Sequence, residues 1–306
     1  MSGLCKRIAL AAALGLLSAA ACAQGYVRER SPLLYAVTAK HGGTVYLFGT
    51  VHVGNAALYP LPPAVEAAFN RSTRLALEID PTDEDVAQEA ILRMVYPPRD
   101  GLHRHVSAET FMRVKQASQR LGLDVEAADR MRPGLLSVAL AAKQLEHDGY
   151  ERELGLDRYL AKRAPREGKQ VVQLESAAQQ VRMLARLPDA TQREMLTTTL
   201  AHMRNRELTN QTNEFLDAWA TGNIEWMTEI SKADGVQITA KKPNAFTRKI
   251  YTHLNTQMAK KIRGMLKESQ TTFVAVGTMH LIGESGLVRQ LGKKGYVVRQ
   301  VDTRDL

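Results

Sequence analysis

Cysteine is almost absent from this chain: Cys5 and Cys22 are its only two in 306 residues, and both stand near the amino terminus. Long uncharged runs are also scarce. The apolar stretch from Ile8 to Ala21 is shorter than the ~20 residues a membrane span requires, and no later segment replaces it. There is no low-complexity segment and no basic stripe interleaved with aromatics, because acids and bases alternate through residues 150–270. The formal charge of +9 is therefore dispersed, and nucleic acid is not expected as a partner.

What stands at the amino terminus reads as an export signal. Lys6 and Arg7 make a basic start, the small apolar run follows, and Ala21-Cys22-Ala23 offers an A-x-A cleavage site before Gln24. Acylation of Cys22 is the competing reading, weakened by Ala19 standing where a lipoprotein signal usually carries Leu. Cleavage after Ala23 predicts a secreted or periplasmic protein with no transmembrane segment, and it removes both cysteines. Disulfides and a thiol nucleophile are then excluded, and the charge falls from +9 to +7 with the loss of Lys6 and Arg7. The ~280 residues that remain are enough for one large core, and a single domain over residues 24–306 is expected.

Hydrophobic patterning divides the chain into sheet-like ends and a helical middle. Residues 34–38 and 44–49 flank His41-Gly42-Gly43 as a hairpin, residues 61–70 form a helix opened by Pro62-Pro63, and residues 74–79 form a buried strand. This predicts a first β-α-β unit with a right-handed crossover. Helices are expected at 83–95, 108–121, 134–147 and 155–164. A short buried strand at 169–174 and a helix at 177–186 come next, then helical segments over 190–235 and 245–267. Residues 271–276, a helix at 284–293, Gly295 and residues 296–301 make a second β-α-β unit. The fold class read from this pattern is α/β, a central mixed sheet built from the two end units. Helical insertions at about 83–165 and 190–267 would cover the sheet's edge as a lid.

One local pattern occurs twice. An apolar strand runs into Gly49-Thr50-Val51-His52, and another into Gly277-Thr278-Met279-His280, with Gly54 and Gly283 shortly after. Glycine at a strand end lets backbone approach a ligand closely and aims the following residues across the crevice at the carboxyl edge of the sheet. Two further strands end in acids, Glu78 and Glu175. Imidazole and carboxylate together suit a divalent transition metal such as Mn, Co or Zn, held by His52, Glu78 and His280, with an activated water. The same four groups also suit metal-free chemistry, in which a histidine activates water and a carboxylate fixes its tautomer. As structural residues, the acids would cap helices or pair with arginine, and the histidines would be ordinary hydrogen-bonded groups. His41, His103, His105, His147, His202 and His253 read as surface residues, although His103 and His105 alternate in a way that suits a metal.

These stretches resemble the TraB/GumN family, whose relatives include the TIKI proteases and, more distantly, the erythromycin-esterase and ChaN-like proteins. The resemblance rests on Tyr46-Leu47-Phe48-Gly49-Thr50-Val51-His52, Leu75-Ala76-Leu77-Glu78-Ile79-Asp80 and Glu153-Leu154-Gly155-Leu156-Asp157. Gly168-Lys169 to Leu174-Glu175 with Gln180, and Val274 to Gly283 with Gly286-Leu287-Val288 and Gly295-Tyr296, complete it. It spans essentially the whole mature chain. It implies a metal-dependent hydrolase site on His52, Glu78 and His280, with Glu175 matching a Leu-Glu element. In one place the chain departs: relatives often carry Arg-Asn where this sequence has Leu254-Asn255, which leaves Arg248 as the nearby arginine and puts the substrate in question.

The leading expectation is an envelope hydrolase, metal-dependent and cutting peptide bonds, with Glu78 or Glu175 handling the proton of the attacking water. A peptide, protein or polysaccharide is the expected partner class. The rival readings are a non-catalytic envelope protein that binds polysaccharide or a partner protein, and a metal-free esterase.

Overall fold

The computed structural model describes residues 33–40, 42–81, 92–204, 206–233 and 252–301. Its centre is one six-stranded mixed sheet. In chain order the strands are β1 (Leu34–Thr38), β2 (Thr44–Thr50), β3 (Arg74–Leu77), β4 (Gln170–Gln173), β5 (Thr272–Gly277) and β6 (Val297–Gln300). Helices α1 (Pro63–Arg71), α2 (Ala108–Arg120), α3 (Val125–Arg130), α4 (Pro133–His147) and α5 (Leu156–Arg166) precede β4. Helices α6 (Ala177–Ala185), α7 (Asp189–Arg204), α8 (Glu207–Thr221), α9 (Ile224–Ala233) and α10 (His253–Met265) lead to β5, and α11 (Leu287–Lys293) joins β5 to β6.

The spatial order of the strands is β4-β3-β5-β2-β1-β6. The expected hairpin is present, with β1 antiparallel to β2 and Leu34 opposite Phe48. The two expected β-α-β units are present as β2-α1-β3 and β5-α11-β6, each joining strands that run the same way with other strands between them. β5 enters between β2 and β3 and runs parallel to both, and β6 crosses to the far side to pair antiparallel with β1. The reason is burial. Leu47, Phe48, Leu75, Ala76, Leu77 and Phe273 to Val276 are apolar on consecutive positions, and such strands are stable only where both neighbours and both faces are covered. β4 corrects one expectation: it is an edge strand with Gln170 and Gln173 exposed, and is not buried.

Aromatic contacts fasten helices to this centre. Phe273 meets Phe48 at 5.7 Å and, edge-on, Phe69 of α1 at 5.3 Å, while Trp219 of α8 packs edge-on against Phe48 at 6.1 Å. The Trp219 indole N–H donates to the Gly49 carbonyl at 2.8 Å, so this large side chain is buried with its polar atom satisfied. A separate apolar cluster lies within the helical insertions, where Leu102, Val114, Leu136, Leu140, Leu196 and Leu200 pack together. Helices stand where residues 108–121, 134–147, 155–164 and 177–186 were expected to form them. The expectation at 83–95 falls largely outside the described residues, as does part of that at 245–267.

Because Phe273 has no exposed surface and joins β5 to both β2 and α1, Phe273→Ala should lower unfolding free energy by about 3–5 kcal/mol. Denaturant unfolding followed by circular dichroism measures this, and a loss under ~1 kcal/mol would contradict a central place for that ring.

Candidate functional site

Four adjacent parallel strands end along one edge of the sheet, and just beyond them, in spatial order, stand Glu175, Glu78, His280 and His52. Backbone pairing continues past the strands and aligns them: the Glu175 N–H donates to the Glu78 carbonyl at 2.8 Å, and the Glu78 N–H to that of Ala275 at 3.2 Å. The two Gly-Thr-x-His turns lie side by side with a one-residue offset, Thr50 facing Gly277. They are bonded to each other, since the Thr278 hydroxyl donates to the Thr50 carbonyl at 3.0 Å. A Cβ on Gly49 would fall 2.9 Å from that hydroxyl oxygen, so glycine there makes room for the second turn.

Beyond the threonines the two copies differ, although the repeat suggested equivalence. Thr278–His280 curls into a 3-10 turn and buries His280, whereas the first copy continues to a backbone bridge between Gly54 and Glu151 and leaves the His52 side chain 68% exposed. Gly277 has an ordinary φ of −48°, and a Cβ there would meet its neighbours at ordinary van der Waals distances. A Cβ there would stand 3.4 Å from Glu78 Oε2, 3.4 Å from His52 Nε2 and 3.5 Å from His280 Cδ2. The bare Cα of Gly277 is the floor of the space that three of the four residues face.

Each side chain is held by a defined partner. Glu78 accepts from the Gly277 N–H at 3.1 Å and, through its other oxygen, from the Gln180 side-chain amide at 2.6 Å. His280 Nε2 lies 3.5 Å from Glu78 Oε2. On its other side His280 Nδ1 meets Asn255 Oδ1 at 2.5 Å, and the Asn255 amide nitrogen donates to the Ser285 carbonyl at 2.8 Å. That second bond sets the orientation of the amide, so Nδ1 of His280 must be the donor and Nε2 faces Glu78. His52 Nδ1 likewise meets Asp157 Oδ2 at 2.5 Å.

The two carboxylates are driven apart electrostatically. Burial pushes Glu78 up, but the imidazoles of His280 and His52 and the Gly277 N–H together outweigh it and hold the carboxyl well below the usual range. In Glu175 the compensation is too weak: burial, then the charge of Glu78, outweigh His280, Gln180 and Lys261 and raise it to about 7, and its Oε1 is buried with no hydrogen-bond partner. His52 is raised to about 9, first by the Asp157 carboxylate beside its Nδ1, which outweighs the opposing desolvation. At neutral pH the edge therefore carries one fixed carboxylate, one carboxyl able to take or give a proton, and a protonated His52.

Asp157, Gln180 and Asn255 were not expected as site residues. Each lies on a helix outside the sheet, at the starts of α5, α6 and α10, and their only signal was membership of the stretches that carry the family resemblance. Leu254, where relatives often have arginine, is a core residue with 1% exposure, and Arg248 lies outside the described residues. His103 and His105 do not form a joint site: the first pairs with Asp129 at 2.8 Å, and the second with Asp100 at 3.0 Å while stacking on Tyr96. Among the described residues no three His, Cys, Asp or Glu side chains are drawn together closely enough to enclose a metal ion.

Comparison with known proteins places this geometry in context. The TraB/PrgY/gumN family model matches residues 33–300. The chain is 26% identical over 251 residues to the uncharacterized protein YbaP of Escherichia coli (strain K12), covering 80% of this chain and 87% of that protein. It is 22% identical over 307 residues to a metalloprotease TIKI homolog of Amphimedon queenslandica, covering 85% of this chain and 60% of the relative. No solved structure is a significant match.

A buried carboxyl raised from 4.5 to about 7 binds its proton more tightly folded than unfolded, so its contribution to stability is present below pH ~4.5 and is lost as pH rises through 7. Glu175→Gln should reduce the drop in unfolding free energy between pH 5 and pH 8 by about 2–3 kcal/mol. Urea titrations at the two pH values measure it, and an unchanged pH slope would place Glu175 in a solvated setting.

Proposed function

Because this chain belongs to the TraB/PrgY/gumN family, we propose that it is an exported hydrolase of the cell envelope that cleaves peptide bonds at the His52, Glu78, Glu175 and His280 edge with the help of a divalent metal. The single observation that carries the reading is the separation of two neighbouring carboxyls, Glu78 kept ionised and Glu175 poised near neutrality, beside two imidazoles whose Nδ1 atoms are already taken. The name of the TIKI homolog supports the peptide bond and the metal, and the sequence signal before Gln24 supports export.

The donors fit such an ion in kind. An imidazole whose Nδ1 is engaged by an oxygen binds a metal through Nε2, the usual backing for a metal-binding histidine, and His52, protonated at neutral pH, would give up its Nε2 proton on binding. His52, Glu78 and His280, which face the space beside Gly277 without enclosing it, would hold the ion. A bound divalent ion supplies Lewis acidity and makes water a better nucleophile near neutral pH. The protein's own part is the handling of protons and charge. In its ionised form, a substantial share of the population at neutral pH, Glu175 takes a proton from the attacking water through its unpartnered Oε1, and it returns that proton to the departing amine nitrogen as the carbon–nitrogen bond breaks. Glu78 cannot share this task, because the bonds from Gly277 and Gln180 and the two imidazoles favour its charged form. Gln180 spans the pair, donating to Glu78 at 2.6 Å and lying 3.5 Å from Glu175.

The test is hydrolysis of a mixed peptide library and of simple esters, with and without added Mn, Co or Zn and after chelation. His52→Ala and His280→Ala should each lower peptide cleavage by on the order of 10²–10⁴-fold. The double replacement should add little, because residues acting as one unit are non-additive. Ester cleavage that survives chelation would replace this reading with the metal-free one, and failure to cleave either substrate class would leave a binding role.

A further inference from the structure

The two histidines of the site are held by different parts of the molecule. His280 is 6% exposed and braced by Asn255, whose own orientation is set by Ser285. The His52 ring is open on most of its surface, and among the described residues its hydrogen-bond partner is Asp157, itself only 13% exposed. An exposed imidazole without such a partner rotates among rotamers and takes either tautomer.

Asp157 does not reach His52 alone. Three consecutive residues at the start of α5 meet the segment Val51-His52. A Cβ on Gly155 would fall 2.3 Å from the His52 carbonyl oxygen, the Leu156 N–H donates to the Val51 carbonyl at 2.9 Å, and Asp157 takes the His52 ring. Gly155 has an ordinary φ of −65°, so glycine is required here by close approach and not by backbone conformation. Just before it, Gly54 and Glu151 exchange two backbone hydrogen bonds, of 3.0 and 2.8 Å. The end of the helical insertion is thereby tied along residues 51–54.

From these contacts we infer that Asp157 is a positioning residue, and that docking of the insertion's end on Val51-His52 is what presents His52 Nε2 to the space above Gly277. Glu78 and His280 are held without this docking, by the sheet together with Gln180 and Asn255. The His52 half of the site is complete only while Gly155-Leu156-Asp157 is seated. This inference rests on the reading of His52 as a working residue, and its structural part stands or falls separately.

The experiment uses metal-free, ¹⁵N-labelled full-length protein. Histidine nitrogen spectra are recorded for the wild type and for Asp157→Ala, Asp157→Asn and Gly155→Ala, with His52 assigned by its disappearance in His52→Ala. In the wild type, at a pH above about 9 where the ring is neutral, His52 should keep its remaining proton on Nδ1 in a strong hydrogen bond. Asp157→Ala should lose that signature while the His280 signals and the unfolding midpoint stay unchanged. Asp157→Asn, which keeps an acceptor oxygen as Asn255 does for His280, should restore it. Gly155→Ala should weaken it with Asp157 still present. Zn²⁺ titration by calorimetry should show affinity lower by about 10–100-fold in Asp157→Ala. An unchanged His52 signature in Asp157→Ala would overturn the inference, as would a parallel change at His280 with a falling midpoint, which would mark Asp157 as scaffold. A wild type that takes up no Zn²⁺ while the nitrogen spectra behave as stated would remove the metal from the proposed function and leave the positioning role in place.

Discussion

The entry of β5 between β2 and β3 is the constraint from which the rest of this structure follows. Parallel strands share a direction, so placing β5 there puts His280 between Glu78 and His52 along one edge and sets their spacing by the inter-strand distance of ~4.8 Å. The same placement buries β5 completely and lets Phe273 touch both the strand beside it and α1. Core and site are thus two consequences of one pairing. The hydrogen bond from Thr278 to the Thr50 carbonyl sits where they meet, joining the two turns before their histidines separate.

Charge at that edge is uneven by construction. Glu78 and Glu175 follow adjacent strands and are brought close by backbone pairing, yet only Glu78 is met by a backbone N–H, a short amide bond and two imidazoles. Two carboxylates in one low-dielectric place repel, and the one with fewer donors yields by keeping its proton. The buried, unpartnered Oε1 of Glu175 is the visible cost of that arrangement. Buried polar atoms without partners are uncommon in native structures and tend to mark places that function maintains. Such atoms also occur nearby at Thr50 Oγ1 and Asp157 Oδ1.

The helical middle of the chain acts on the edge from outside. It has its own apolar cluster, separate from the core of the sheet, and it meets the edge through single residues at helix starts: Asp157 from α5, Gln180 from α6 and Asn255 from α10. First turns of helices are suited to this because their side chains project beyond the helix end and their unpaired N–H groups favour negative charge, as at Asp157. The helices therefore contribute the orientation of groups that the strands contribute by position.

The sequence by itself determined the α/β class, most of the elements and the strand-end residues, because apolar runs of strand length, glycine stops and a duplicated Gly-Thr-x-His are local patterns. Helix α1 beginning at Pro63 and the hairpin β1-β2 could be placed in this way, since each depends on neighbours a few residues off. Strand order could not, because β5 lies about 200 residues after β3 and nothing local distinguishes a strand that continues a unit from one that enters between two others. Nor could the partners of the histidines: Asp157 stands 105 residues from His52, and Asn255 stands 25 residues from His280 on a different helix. Only tertiary packing brought them into contact, and with them came the difference between an exposed His52 and a buried His280 that their identical motifs conceal. The separation of the two glutamates was decided in the same way, since desolvation and hydrogen-bond donors belong to the folded surroundings of a carboxyl and not to its place in a strand.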